Sequence, residues 1–181
     1  MDAAGFAPYA DASVEVFGAA MNPPASELRS RHEILHRHLQ RRGFAATIGV
    51  DGEQLVGFGY AYPGEAGQWW HDLVAAALDP AAADQWLADS WEVVELHVRP
   101  ERQGQGLGRR LLTALLTDAP GATALLSTGD RDSRARRLYR SMGFVELLTD
   151  FRFPGREEPY AVLGRTLPLS GARAASTSQD R

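Results

Sequence analysis

The sequence predicts an α/β (α+β) fold, a mixed central sheet with helices on both faces. Three observations carry this. Helix and strand signals follow the order helix, helix, three strands, helix, strand, helix, two strands. Asp51-Gly52 stands between two strand-like runs, a strong hairpin signal. A glycine-rich turn, Gly104 to Gly108, joins the third strand to a helix.

Each element has its own warrant. Residues 8–21 read as a helix through Tyr9, Val14, Val16 and Phe17, broken by Asn22-Pro23-Pro24. Ser26 is expected to cap a second helix that runs to about Arg42 and stops at Gly43. Residues 44–50 and 54–62 are the hairpin strands. Residues 65–90 contain Trp69-Trp70-His71 and an alanine-rich helix. Residues 92–98 form a β-branched strand, 106–117 a helix, 123–127 a strand, and 133–142 a helix closed by Gly143. Residues 144–153 and 160–167 make a final strand pair. A single domain over 1–169 is expected, with 65–90 inserted and the small, polar tail 170–181 disordered.

Composition excludes several chemistries. The 181 residues include no cysteine, so disulfides, thiolate nucleophiles and sulfur-based zinc sites are out. All 19 basic residues are arginine. A phosphate-loop NTPase and a Schiff-base enzyme each need a lysine. No run approaches the ~18 apolar residues of a membrane span. Met1 to Ala12 does not read as a signal peptide, and a cytoplasmic location is expected. The net charge of −4 and the lack of a basic tail argue against nucleic acid. Charge is segregated: residues 43–98 hold acids without arginine, whereas Arg109, Arg110, Arg131, Arg134, Arg136, Arg137 and Arg140 follow. One half suits a cation and the other an anion, although a solvated surface would look the same.

The turn Gln103-Gly104-Gln105-Gly106-Leu107-Gly108 leads into a helix whose free N–H groups and dipole suit a pyrophosphate. The dinucleotide fingerprint fails, because Arg109 stands where its third glycine belongs. The segment resembles the GCN5-related N-acetyltransferase (GNAT) family, whose signature is Gln or Arg, two residues, Gly, one residue, Gly or Ala. Gln103, Gly106 and Gly108 match, between Leu96-His97-Val98-Arg99-Pro100 and Arg109-Arg110-Leu111-Leu112. A second family pattern matches at Ala135, Tyr139, Gly143 and Phe144, with Asp132 replacing the usual Asn.

The resemblance implies a mostly antiparallel sheet and acetyl transfer from acetyl-CoA to an amine, by direct attack in a ternary complex without a metal. Amides of Gly104, Gly106, Gly108 and Arg109, in the turn that Gln105 and Leu107 complete, would hold the CoA pyrophosphate. Asp132 and Ala135 would flank the cofactor. The strand at Leu96, His97 and Val98 would be splayed toward pantetheine, with the Leu96 N–H polarising the thioester. Tyr139 would protonate the departing thiolate; packing on a helix is the plainer reading. The family's first strand is absent or reduced to a few residues before Pro8, and either its loss is tolerated at an edge or the start lies upstream.

A base must take a proton from the amine. Strict alternation puts Glu92, Val94, Leu96 and Val98 on one strand face and Val93, Glu95 and His97 on the other. Glu92 then lies toward the acceptor with Leu96, where some family members place a glutamate base. Glu95 and His97 are alternatives if a bulge shifts the alternation, and an exposed strand-end carboxylate is the plain alternative for Glu92.

His32-Glu33-Ile34-Leu35-His36 reads as H-E-x-x-H, the signature of a zinc hydrolase. Leu28, Leu35 and Leu39 instead put His32 on a core-facing stripe, and His32 or His36 is expected to border the acceptor site. Trp69, Trp70, His71 and Asp72 could form an aromatic, acidic lid over a cationic amine, or cap the core. The acceptor is expected to be a small-molecule amine or a peptide N-terminus, and the protein a monomer or homodimer. A non-catalytic acyl-CoA sensor is the other reading.

Overall fold

The computed structural model describes residues 1–169; the expected disordered tail lies outside them. Helices α1 (Ala3–Phe6), α2 (Ala10–Met21) and α3 (Ala25–His38) precede the hairpin β1 (Ala45–Asp51) and β2 (Gln54–Gly64). Helices α4 (Trp69–Ala77) and α5 (Pro80–Leu87) lead to β3 (Ser90–Val98), α6 (Leu107–Thr117) and β4 (Thr123–Gly129). The chain continues through α7 (Arg134–Ser141), β5 (Val145–Phe151) and β6 (Tyr160–Thr166).

The six strands form one sheet in the order β1-β2-β3-β4-β6-β5. Only β3 and β4 run parallel; the other neighbours are antiparallel. Phe58, Tyr60 and Tyr62 of β2 pack with Phe6, Phe17 and Leu35 on one face. On that same face α4 and α5 cover Leu125 and Val162 through Val74, Leu87 and Trp86. Leu112, Leu115 and Leu116 of α6 and Tyr139 of α7 cover Ala61, Trp91, Val93 and Leu163 on the other face. The predicted layering is therefore observed.

Several boundaries differ from the expectation. Helix starts at Ala3, where the Asp2 side chain accepts from the Gly5 N–H, so Pro8 continues a helical segment that began earlier. Pro24, not Ser26, occupies the N-cap of α3, with no capping side chain. The helix ends at His38, four residues before Arg42. Residues 65–90 make two helices, because Asp79 caps a fresh N-terminus through the Ala82 N–H and Pro80 follows at its first position. Met1 pairs with the edge strand β1: Met1 N donates to Ala46 O at 2.9 Å and Ala46 N to Met1 O at 2.8 Å.

The inserted helices are locked to the sheet at Gly164. A Cβ there would lie 2.8 Å from the Trp86 ring and 2.9 Å from Leu147. Gly164→Ala is expected to lower unfolding stability by ~1–3 kcal/mol, the usual cost of overpacking. Urea unfolding checks this, and a change below ~0.5 kcal/mol would mean that Trp86 is free to move.

Candidate active site

The geometry of the site starts from one irregularity in β3. Tyr60 of β2 pairs with Glu95 and the next residue, Ala61, with Val93, so Val94 is an extra, bulged residue. The bulge resets the alternation. Tyr62, Tyr60 and Phe58 lie on one face of β2, and their partners Glu92, Glu95 and His97 therefore share that face. Leu96 and Val93 turn to the other face, toward Gly59 and Ala61. The expectation that Glu92 shares a face with Leu96 is thus corrected, and the possibility of a bulge is what occurs.

Beyond Glu92 the sheet opens. The β3–β4 ladder has three residue pairs and ends at Glu92↔Leu125, whereas β3 stays paired with β2 to Val98. The β4-facing edge of residues 93–98 is left outside that ladder. This is a wedge between two strands that began side by side. Leu96, His97 and Val98 line it along β3, and Ser127 on β4 accepts the indole N–H of Trp70 at 3.2 Å.

At the mouth of the wedge lies the glycine turn. Gly104 and Gly106 adopt φ of 77° and 79°, a region that favours glycine. No atom lies within 4 Å of the place a Cβ would take on Gly104, and on Gly106 only the Arg110 guanidinium, at 3.7 Å. Gln103 ties the turn to the strand by donating to the Val98 carbonyl at 3.0 Å. Gln105 donates to Glu101 O at 3.2 Å. Gly106 is the N-cap of α6 and supplies no side chain, so the first N–H groups, on Leu107, Gly108 and Arg109, have no side-chain cap. An open backbone cradle at the positive end of an eleven-residue helix fits a polyphosphate. The basic run contributes less free charge than its count suggests. Arg136 and Arg140 bond Glu146, Arg136 also bonds Asp130, and Arg137 bonds Asp132 at 2.6 Å.

Tyr139 of α7 is buried beside Phe144, and burial, reinforced by the Glu95 charge, holds its hydroxyl protonated well above the usual tyrosine range. Ala135 packs against the same cluster.

The two carboxylates have opposite electrostatics. Glu92 is 4% exposed, its Oε2 has no hydrogen-bond partner, and burial pushes its pKa up to about 8 against a weak opposing pull from Arg41. It is not an exposed strand-end group. Glu95 is also buried, but its oxygens meet Arg31 at 2.5 Å and His97. Burial alone would raise its pKa; the cationic partners outweigh burial and hold it below the ordinary carboxylate range.

The acceptor-side candidates separate. Trp69 is 60% exposed and stacks on Phe153, while Trp70 points into the core beneath α4. His71 bonds Asp72 at 3.2 Å. His32 lies 3.5 Å from Asp11 and is half-exposed rather than core-facing; Leu35 and Leu39 fill that stripe. Glu33 and His36 are exposed. The histidine of α3 that turns inward is the half-buried His38, which meets the Tyr60 hydroxyl at 3.0 Å and whose pKa is lowered to about 4, mainly by burial.

A family model described as Acetyltransferase (GNAT) family matches residues 14–144. The chain belongs to the GNAT acetyltransferase family. It is 33% identical over 187 residues to a GCN5-like protein acetyltransferase, Rv2170, of Mycobacterium tuberculosis, covering 87% of this chain and 91% of that protein. A GNAT acetyltransferase structure from Desulfovibrio desulfuricans superposes with a TM-score of 0.64 at 18% identity, covering 87% of this chain and 91% of that one. An aminoglycoside 6'-N-acetyltransferase complexed with coenzyme A gives 0.64 at 19%, covering 88% and 91%. The mixed, mostly antiparallel sheet is the GNAT fold.

Sequence reasoning missed Arg31, Ser13 and Arg156. The Glu27/Arg31 spacing of four residues signals an ion pair on a helix, but nothing local signals that Arg31 reaches across to Glu95. Glu92 gives a testable consequence for this GNAT chain. The native protein keeps that carboxyl protonated up to about 8, whereas the unfolded chain releases the proton near 4.5. Stability is therefore expected to fall as pH rises from about 4.5 to about 8. Glu92→Gln should flatten this slope and stand several kcal/mol higher relative to wild type at pH 9 than at pH 4.5; parallel denaturation curves would show that Glu92 is ionised in the fold.

Proposed function

We propose that this GNAT protein transfers acetyl from acetyl-CoA to an amine by direct attack in a ternary complex. The single observation that carries this reading is the wedge between β3 and β4 with the glycine turn at its mouth. In this reading the turn from Gln103 to Arg109 holds the pyrophosphate, assisted by Asp132 and Ala135 on the α7 side. Pantetheine adds to the open edge of Leu96, His97 and Val98, as a strand would. Acetyl-CoA supplies an activated acyl group, and the chain's residues do the rest. The Leu96 N–H stabilises charge that grows on the carbonyl oxygen during attack.

Glu92 takes the ammonium proton, directly or through one water. A carboxyl pushed up to about 8 is matched to that task near neutral pH, because acid and base forms are both populated. Tyr139, held protonated by burial, gives its proton to the thiolate leaving group. In this reading Trp69, Trp70, His71, His32 and His36 border the acceptor, and Trp69 is the exposed aromatic among them. The acceptor is an amine on a protein, a peptide N-terminus or a small molecule. The Mycobacterium tuberculosis relative is called a protein acetyltransferase, which favours a protein or peptide amine. The reading includes a cytoplasmic location; no helix among the described residues is long and apolar enough to cross a membrane.

The test is release of the CoA thiol with a panel of primary amines and peptides. Since the chain has no lysine, it adds no ε-amine of its own to the assay. Tyr139→Phe is expected to lower kcat by ~10²-fold, the lower range for a general acid, with little change in KM for acetyl-CoA. Gly106→Val is expected to lose CoA affinity at least ~10-fold by calorimetry, since a branched side chain resists φ of 79° and crowds the cradle. Acetyl-CoA binding without turnover on any amine would favour the sensor, and normal CoA affinity in Gly106→Val would remove the turn from the site.

A further inference from the structure

A line of alternating charges runs from the molecule's rim into the sheet. Arg156, in the β5–β6 loop, donates from both terminal nitrogens to Glu27, at 3.0 and 3.1 Å. Arg31, one turn along α3, donates to Glu27 at 3.1 Å and to Glu95 Oε1 at 2.5 Å. The other Glu95 oxygen meets His97. The Arg31 guanidinium also lies 4.1 Å over the Phe17 ring. It lines a small cavity with Ser13, Phe17, Tyr60 and Glu95.

That cavity distinguishes the cluster from a staple between α3 and the sheet. Ser13 Oγ and Arg31 Nε are buried there with no hydrogen-bond partner. A buried ion pair is poor stabilisation in any case, because desolvation offsets much of the attraction. Polar atoms left unmatched make the cost greater. Stability alone does not account for the arrangement. Its product is an anion, Glu95, on the strand face that also carries Glu92.

We propose that Arg31 is a positioning residue for the transfer: it holds Glu95 as the anion that draws the acceptor's ammonium to the Glu92 face, and Glu27 with Arg156 sets how much of its charge Glu95 receives. This rests on the acetyltransferase reading above. The groups that face Glu95 are His97 and Glu92 from β3, Tyr60 and Tyr62 from β2, Arg31 and His38 from α3 and Ser13 from α2; Tyr139, across the sheet on α7, and Arg156 of the β5–β6 loop feel its charge from farther off. The cations among them outweigh burial, so the ionised form persists to lower pH than in an ordinary carboxylate.

Losing Arg31 raises the pH at which Glu95 ionises, which disables the acceptor site most at low pH. Arg31→Met is expected to lower kcat/KM for the amine, and the loss relative to wild type should shrink several-fold from pH 4 to pH 7, the window in which a Glu95 deprived of that cation takes up its charge. Arg31→Lys should restore most of it. The rim gives opposite signs from the two halves of one ion pair. Relative to its own value at pH 7, Arg156→Gln should be weaker than wild type at pH 4, and Glu27→Gln stronger. A merely structural ion pair would make both rim variants change alike. A pH-independent loss in Arg31→Met, or rim variants of the same sign, overturns the proposal. If Arg31→Met does not fold, the exposed rim pair decides. Failure of wild type to release CoA with any amine removes the transferase reading instead, whereas wild-type turnover with flat ratios removes only the role of Arg31.

Discussion

The parting of β3 from β4 after three residue pairs is the constraint on which the site depends. Parallel neighbours normally continue to exchange backbone hydrogen bonds, since an open edge is unfavourable unless something pairs with it. Here the Val94 bulge bends β3 at the point where pairing stops, while β4 continues against β6 to Gly129. A ligand with amide groups fits an edge left open in this way. In the proposed mode the GNAT chain binds its cofactor where its own sheet is incomplete, and the glycine turn anchors the charged end of that cofactor.

The same bulge sets which β3 residues share a face. By adding one residue it brings Glu92 onto the face of Glu95 and His97, under α2 and α3, and sends Leu96 to the opposite face. Two carboxylates on one strand then meet different surroundings. Glu92 has burial without a cation close enough to offset it, and Glu95 has Arg31 and His97. Near pH 7 Glu92 is mostly protonated with a minor ionised fraction, and Glu95 is ionised. A separation of protonation states within a few residues is what acid–base chemistry on an ammonium needs.

Much of this was legible in the sequence, and the remainder was hidden for physical reasons. The element order, the hairpin at Asp51-Gly52 and the turn at Gly104 and Gly106 are local signals, because turns demand particular residues at fixed positions. Helix ends were less legible: Asp79 makes a cap that splits residues 65–90 into two helices, and an alanine-rich run conceals the break. The faces of β3 followed the alternation rule until the bulge, which no residue type announces. Arg31 was missed because its partner is 64 residues away.

Hydrogen–deuterium exchange with and without acetyl-CoA tests the central claim most directly, because it reads the backbone amides that the open edge leaves available. The account predicts slowed exchange on binding across residues 93–98 of β3 and at Leu107, Gly108 and Arg109, with β1 and the hairpin unchanged. Protection confined to α3 and α4, with the β3 edge exchanging as before, would contradict it.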